Sequence, residues 1–122
     1  MHTVLVVEDD PDIRELVSEM LAQDGYVVAE AANGQEALDF LRTHEGPCVV
    51  LLDLMMPVLS GPELLEIMAE DERLASYPVV VVSAVADRGS APGVQKFLRK
   101  PVSSDVLRAV VAEYCPPAGA QA

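Results

Sequence analysis

"TVLVVEDDPDIRELVSEMLAQDG", residues 3–25, holds two periodicities with an acidic knot between them. Val4 to Val7 is an unbroken apolar run, the pattern of a short strand covered on both faces in a parallel sheet. Glu8, Asp9, Asp10 and Pro11 interrupt it, and the next apolar residues are Ile13, Leu16, Val17, Met20 and Leu21. Those fall at the i, i+3, i+4, i+7, i+8 spacing of one helix face. The helix has a start signal, Asp10 as N-cap and Pro11 at its first position, and a stop at Gly25. A buried strand running directly into an amphipathic helix is the first half of a βαβ unit.

The alternation continues along the chain. Strands are expected at Thr3–Val7, Tyr26–Glu30, Cys48–Asp53, Val79–Ser83 and Lys96–Arg99. A second helix starts at Asn33, with Glu36 completing a capping box, and runs through Leu38 and Leu41. A third starts at Ser60 and carries Leu64, Leu65, Ile67 and Met68. The last starts at Ser103, presents Val106, Leu107, Val110 and Val111, and ends before Pro116-Pro117. Right-handed crossovers between such elements give an α/β fold with helices on both faces of a parallel sheet. For five strands the expected architecture is doubly wound and flavodoxin-like, order 2-1-3-4-5. Residues 1–115 form one domain in this reading, and 116–122 a frayed tail with nothing to bury.

The fourth crossover is short. Only "AVADRGSAPGVQ", residues 84–95, separates the fourth and fifth strands, and it contains two glycines and a proline. A βαβ crossover takes at least about 10–12 residues including its helix. The fourth crossover helix is therefore expected to be shortened or missing.

A chain of 122 residues with 51% apolar residues can bury one core without disulfides or a structural metal. The formal charge of −12 argues against nucleic acid and against anionic membrane surfaces as partners. Cys48 and Cys115 lack metal-ligand spacing, and two free thiols fit a cytoplasmic location. No apolar run approaches the roughly 18 residues of a membrane span, and no signal-peptide pattern opens the chain.

In a doubly wound sheet, ligands bind beyond the carboxyl ends of the strands, near the switch between strands 1 and 3. Strand 1 ends in Glu8-Asp9-Asp10, strand 3 in Asp53, strand 4 in Ser83 and strand 5 in Lys100-Pro101. Three carboxylates, a hydroxyl and an ammonium converge there. Such a set suits phosphoryl transfer onto a carboxylate, a reaction governed by positioning and cationic stabilisation. Glu8, Asp9 and Asp53 would repel one another unless a divalent cation lay between them. Mg²⁺ fits, since it takes one or two carboxylates, keeps waters and accepts a phosphate oxygen. Lys100 adds a second positive charge and Ser83 a hydroxyl for the incoming oxygens.

With these residues placed, the chain resembles a response-regulator receiver domain of two-component signalling, over roughly residues 3–114. "VLVVEDDPDIREL" resembles the family's opening strand and acid pair, which assigns Glu8 and Asp9 to Mg²⁺. "GYVVAEAANGQEAL" resembles its second strand and helix start, and "VVLLDLMMPVLSGPELL" carries the acceptor motif, with Pro57 and Gly61 in family positions. The resemblance implies that Asp53 is phosphorylated and that Met55 offers its backbone carbonyl to the metal. "VVVVSA" supplies the switch hydroxyl, Ser83, followed by the small Ala84; "FLRKP" supplies Phe97 as aromatic switch and Lys100 as phosphate-binding lysine. It further implies a histidine kinase or histidine phosphotransfer protein as phosphodonor and a downstream protein target. The chain would be a phosphoacceptor rather than a turnover enzyme. Met55 and Val85, two positions after the acceptor and the switch hydroxyl, cannot orient an attacking water, so a long-lived phosphoryl group is expected.

Two other readings compete. A hydrolase working through an aspartyl phosphate wants a second Asp two residues after the nucleophile, where this chain has Met55. A degenerate receiver serving as a phosphorylation-independent binding scaffold would not need Glu8, Asp9, Asp53, Ser83 and Lys100 together. A dinucleotide-binding fold is excluded because no glycine-rich loop follows the first strand.

Overall fold

A computed structural model describes residues 3–44, 46–53, 61–83, 94–100 and 102–114. Five strands, β1 (Thr3–Val7), β2 (Val27–Ala31), β3 (Cys48–Leu52), β4 (Val79–Ser83) and β5 (Val94–Arg99), form one parallel sheet in the order 2-1-3-4-5. The helices are α1 (Pro11–Gln23), α2 (Gly34–Thr43), α3 (Gly61–Ala69), a single turn α4 (Glu72–Ala75) and α5 (Ser104–Tyr114). The expected order is observed. β1 and β3, the central strands with continuous apolar sequences, are buried at every residue, whereas edge strand β2 is open at Val27 and Glu30.

Two cores lie on opposite faces, and strand alternation sorts residues between them. Leu5, Val7, Val50, Leu52, Val79 and Val81 pack with α2, α3 and α4. Val4, Val6, Val49, Leu51 and Val80 pack with α1 and α5. In β5, Val94 and Phe97 are three apart yet both face the α2–α3 core, while Leu98 faces the other. A register shift explains this: β4 advances from Val79 to Val80 while β5 advances from Val94 to Lys96. The bulge thereby sets Phe97 beside Val81, on the face to which alternation also assigns Ser83.

The helix caps follow the sequence. The Asp10 carboxylate accepts from the backbone N–H of Asp12 and Ile13, and Gly25 takes a φ of 94° after the end of α1. At α2 the Asn33 side chain accepts from Glu36 N–H, but the Glu36 carboxylate reaches one residue further back than a capping box requires, to Ala32 N–H at 2.9 Å.

Three expectations need correction. Ile13 and Leu16 of α1 are 40% and 68% exposed, and the helix buries Ser18 and Leu21 instead, with Val17 and Met20 partly covered. At 100° per residue the covered face is rotated from the apolar stripe toward Ser18, leaving Leu16 at the open edge, while Ile13 in the first turn lines the groove at the strand ends. Val106 of α5 is likewise 47% exposed, whereas Leu107, Val110 and Val111 are buried. α4 was not anticipated; one turn carries too few residues to show a period. It is capped by Asp71, whose carboxylate accepts from Arg73 and Leu74 N–H. The fourth crossover, shortened to residues 84–93 because β5 begins at Val94, lies outside the described residues, as do Ser60, Cys115 and the tail.

Arg73 of α4 ties the lower ends of two elements together. Its Nη1 donates to His44 O at 2.7 Å and Tyr77 Oη at 3.0 Å, and its Nη2 to Leu41 O and Arg42 O at 2.8 and 2.7 Å. The last carbonyls of α2, left without helical partners, are thus held by a cation at the negative end of the helix. Arg73→Met is expected to lower unfolding free energy by about 1–3 kcal/mol in a urea titration. Mg²⁺ affinity should not change, because this cap lies at the opposite end of the sheet from the strand termini discussed next.

Candidate functional site

The parallel ladder runs one residue past β1, β3 and β5. Glu8 N–H donates to Ala31 O at 3.0 Å, Asp53 N–H to Val7 O at 3.1 Å, and Lys100 N–H to Ser83 O at 2.8 Å. These bonds hold Glu8, Asp53 and Lys100 at the carboxyl edge. Strand alternation turns all three toward the α1–α5 face, where they line a groove with Ile13, Val17 and Leu107. Glu8 and Asp53 are buried, at 6% and 7% exposure, and Asp9 is exposed.

The three carboxylates and the Lys100 ammonium converge as the strand ends suggested. Lys100 Nζ lies 3.1 Å from Glu8 Oε1 and 3.3 Å from Asp53 Oδ2, bridging the two carboxylates. Glu8, Asp9 and Asp53 each bring one carboxylate oxygen to within 4.8 Å of the others. Ser83, fully buried, ends the neighbouring strand with its carbonyl on Lys100 N–H. Phe97 is half-buried against the α2–α3 core. Met55, Pro57, Ala84, Val85 and Pro101 lie outside the described residues.

Two buried acids sharing one ammonium are short of positive charge. Burial and the hydrogen bond to Asp53 push Glu8 up to about 7, with Lys100 pulling the other way. Burial alone would lower the Lys100 ammonium, but the Glu8 bond and the Asp53 charge outweigh it and hold it above its ordinary value. Near neutral pH Glu8 is therefore about half protonated, and that proton partly balances the trio. A small, hard divalent cation could replace that proton, and the all-oxygen donor set matches Mg²⁺.

Arg14 belongs to none of the strand-end sets, yet it supports this site. Its Nη1 donates to the backbone carbonyl of Glu8 at 2.8 Å, and its Nε lies 3.5 Å from Glu30 Oε1. One signal was available: Arg14 is the only Lys or Arg among residues 1–41. Six positions separate it from Glu8, so the contact exists only because the side chain folds back over the β1–α1 turn.

The response regulator receiver domain family matches residues 4–112. The chain belongs to that family. Receiver domains are the phosphoacceptor modules of two-component signalling. Response regulator Rre1 of Synechocystis sp. is 40% identical over 115 residues, which is 89% of this chain and 49% of that protein. The chain thus spans about half the length of that relative. Chemotaxis protein CheY4 of Vibrio cholerae superposes with a TM-score of 0.84 at 28% identity, covering 93% of this chain and 98% of that one. Response regulator TrrA of Thermotoga maritima, solved in complex with Mg²⁺–BeF, gives a TM-score of 0.81 at 29% identity over 93% of this chain and 99% of that one. Among the described residues of this receiver, no helix is long and apolar enough to cross a membrane.

Proposed function

We propose that this receiver takes a phosphoryl group onto Asp53 and signals through Ser83 and Phe97. The observation that carries the reading is the Lys100 ammonium bridging Glu8 and Asp53 inside a cluster whose third carboxylate, Asp9, lies within metal-sharing distance. An Asp53 carboxylate oxygen attacks the phosphorus of a phosphohistidine on a histidine kinase or phosphotransfer protein, or of a small acyl phosphate. The new O–P bond forms as the donor's P–N or P–O bond breaks, and the bonding pair leaves with the donor. The phosphoryl group stays on the chain, so each copy accepts one and the domain is a phosphoacceptor rather than a turnover enzyme.

Glu8, Asp9, Asp53 and the backbone carbonyl of Met55 would hold Mg²⁺, which supplies Lewis-acid stabilisation of charge on the phosphoryl oxygens. TrrA, solved with Mg²⁺–BeF, supports that assignment by analogy. Lys100, already 3.3 Å from Asp53 Oδ2, provides the protein's own counter-charge.

Ser83 and Phe97 act on the other face. Ser83 bonding a phosphoryl oxygen draws the end of β4 toward Asp53, and Phe97, beside Val81 in the same layer, repacks into the space released. Only contacts that differ between the two states bias such an equilibrium. The readout is then the α2–α3 face near β5, where the downstream protein target would bind. Intact-mass measurement after incubation with acetyl phosphate and Mg²⁺ should show a single phosphoryl adduct that EDTA prevents. An unmodified chain, or an adduct insensitive to EDTA, contradicts the proposal.

A further inference from the structure

We propose that Arg14, anchored by Glu30, is a positioning residue for the divalent-cation site, setting the peptide that aims Glu8 and Asp9 at one point. The inference rests on reading that site as an Mg²⁺-dependent phosphoacceptor.

Glu8 and Asp9 are consecutive, and consecutive residues of an extended chain point to opposite sides. For both carboxylates to approach Asp53, the backbone must turn between them, and the Glu8–Asp9 peptide must hold one orientation. Three bonds hold it. Glu8 N–H is fixed on Ala31 O at 3.0 Å. Asp10 N–H lies 3.4 Å from Glu8 Oε2. The Glu8 carbonyl, past the end of the ladder, is taken by Arg14 Nη1 at 2.8 Å. Of the three, only the last acts directly on the carbonyl of the linking peptide. A peptide rotated about its neighbours would carry exposed Asp9 away from the cluster, whereas buried Glu8 would stay.

The anchor has an electrostatic purpose as well. A guanidinium beside three carboxylates could swing onto them and compete with a cation. Glu30, on edge strand β2, holds Arg14 Nε at 3.5 Å. The guanidinium is thereby directed at a carbonyl and partly neutralised, so it shapes the site without occupying it. Arg14 itself is only 20% exposed along its side chain, which fixes its fork against both partners. β2 thus supports the strand-end cluster twice, through Ala31 O on Glu8 N–H and through Glu30 on Arg14.

Groups that orient metal ligands typically change affinity about 10–100-fold when removed. Mg²⁺ titration of the full chain, followed by calorimetry and by backbone amide shifts, should show Arg14→Met weakening Mg²⁺ about tenfold. The phosphorylation rate from acetyl phosphate at saturating Mg²⁺ should stay within about twofold of the parent chain, because Asp53 and Lys100 are untouched. Arg14→Lys should rescue poorly, since one ammonium cannot serve the carbonyl and Glu30 as a fork does. Glu30→Gln, at an exposed position, should weaken Mg²⁺ about threefold with the unfolding midpoint nearly unchanged. Mg²⁺ affinity within about twofold of the parent in Arg14→Met overturns the inference. If that variant does not fold, unchanged affinity in Glu30→Gln does so instead. A parent chain that takes up no Mg²⁺ refutes the underlying site reading before Arg14 enters.

Discussion

The Asp53→Asn variant is expected to accumulate no phosphoryl adduct under conditions that fully modify the parent chain, a loss of at least about 10³-fold. An amide oxygen carries no formal charge and is a poor nucleophile toward phosphorus, and no other described carboxylate has the same relation to Lys100 and the cation site. Glu8 pairs with the same ammonium, at 3.1 Å, but its raised pKa leaves it about half protonated near neutral pH, which blunts it as a nucleophile. The substitution should leave the fold intact, because Asp53 is held through its backbone N–H on Val7 O at 3.1 Å. It also removes one of two acids competing for Lys100. Glu8 then loses a hydrogen bond and a charge that push it upward, and the metal-free variant should unfold at the parent's midpoint or above it. Intact mass and thermal unfolding in EDTA check the two halves separately. An adduct on the variant would move the acceptor to another side chain; a collapsed midpoint would make its inertness uninformative about chemistry and contradict the electrostatic account.

Much of this site was visible in the sequence because it stands where periodicities change. Glu8, Asp53 and Ser83 directly follow the last apolar residues of their strands, Lys100 stands just past Arg99 at the end of its own, and strand ends in a doubly wound sheet share an edge whatever their separation in sequence. Asp10 and Asn33 were legible for a similar reason: capping is a local bond between a side chain and a helix start. The features that escaped have no local signature. The β5 bulge decides which face Phe97 occupies, yet it is a change of register between strands. Leu16 belongs to an apolar stripe, but which edge of the stripe is covered depends on how α1 lies on the sheet. Arg14 and Arg73 act through backbone carbonyls 6 to 32 positions away, and a carbonyl that needs a partner is invisible in a sequence because every residue has one.

Acidity sets the second large effect. In the metal-free protein Glu8 has a pKa of about 7 against an ordinary value of 4.5. A carboxyl raised by folding stabilises the native state fully below its unfolded pKa, and that contribution is lost as pH rises through the folded value. Metal-free stability should therefore decline from about pH 5 to about pH 8, by an amount on the order of 2–4 kcal/mol from this group. Lys100 does not offset the decline in this window: its raised pKa contributes stability that is lost only above the ordinary lysine range. Mg²⁺ binding has the opposite slope. The cation needs Glu8 ionised, so apparent affinity should fall about tenfold for each pH unit below about 7. Thermal unfolding across this range, with EDTA or with excess Mg²⁺, should give curves that diverge as pH rises. Glu8→Gln should flatten the metal-free curve and collapse the divergence, since it removes the titrating proton and a ligand together. A metal-free midpoint that is flat or rising between about pH 5 and pH 8 would show that Glu8 is ionised throughout. The proton would then not be what the cation displaces, and Lys100 alone would balance both acids.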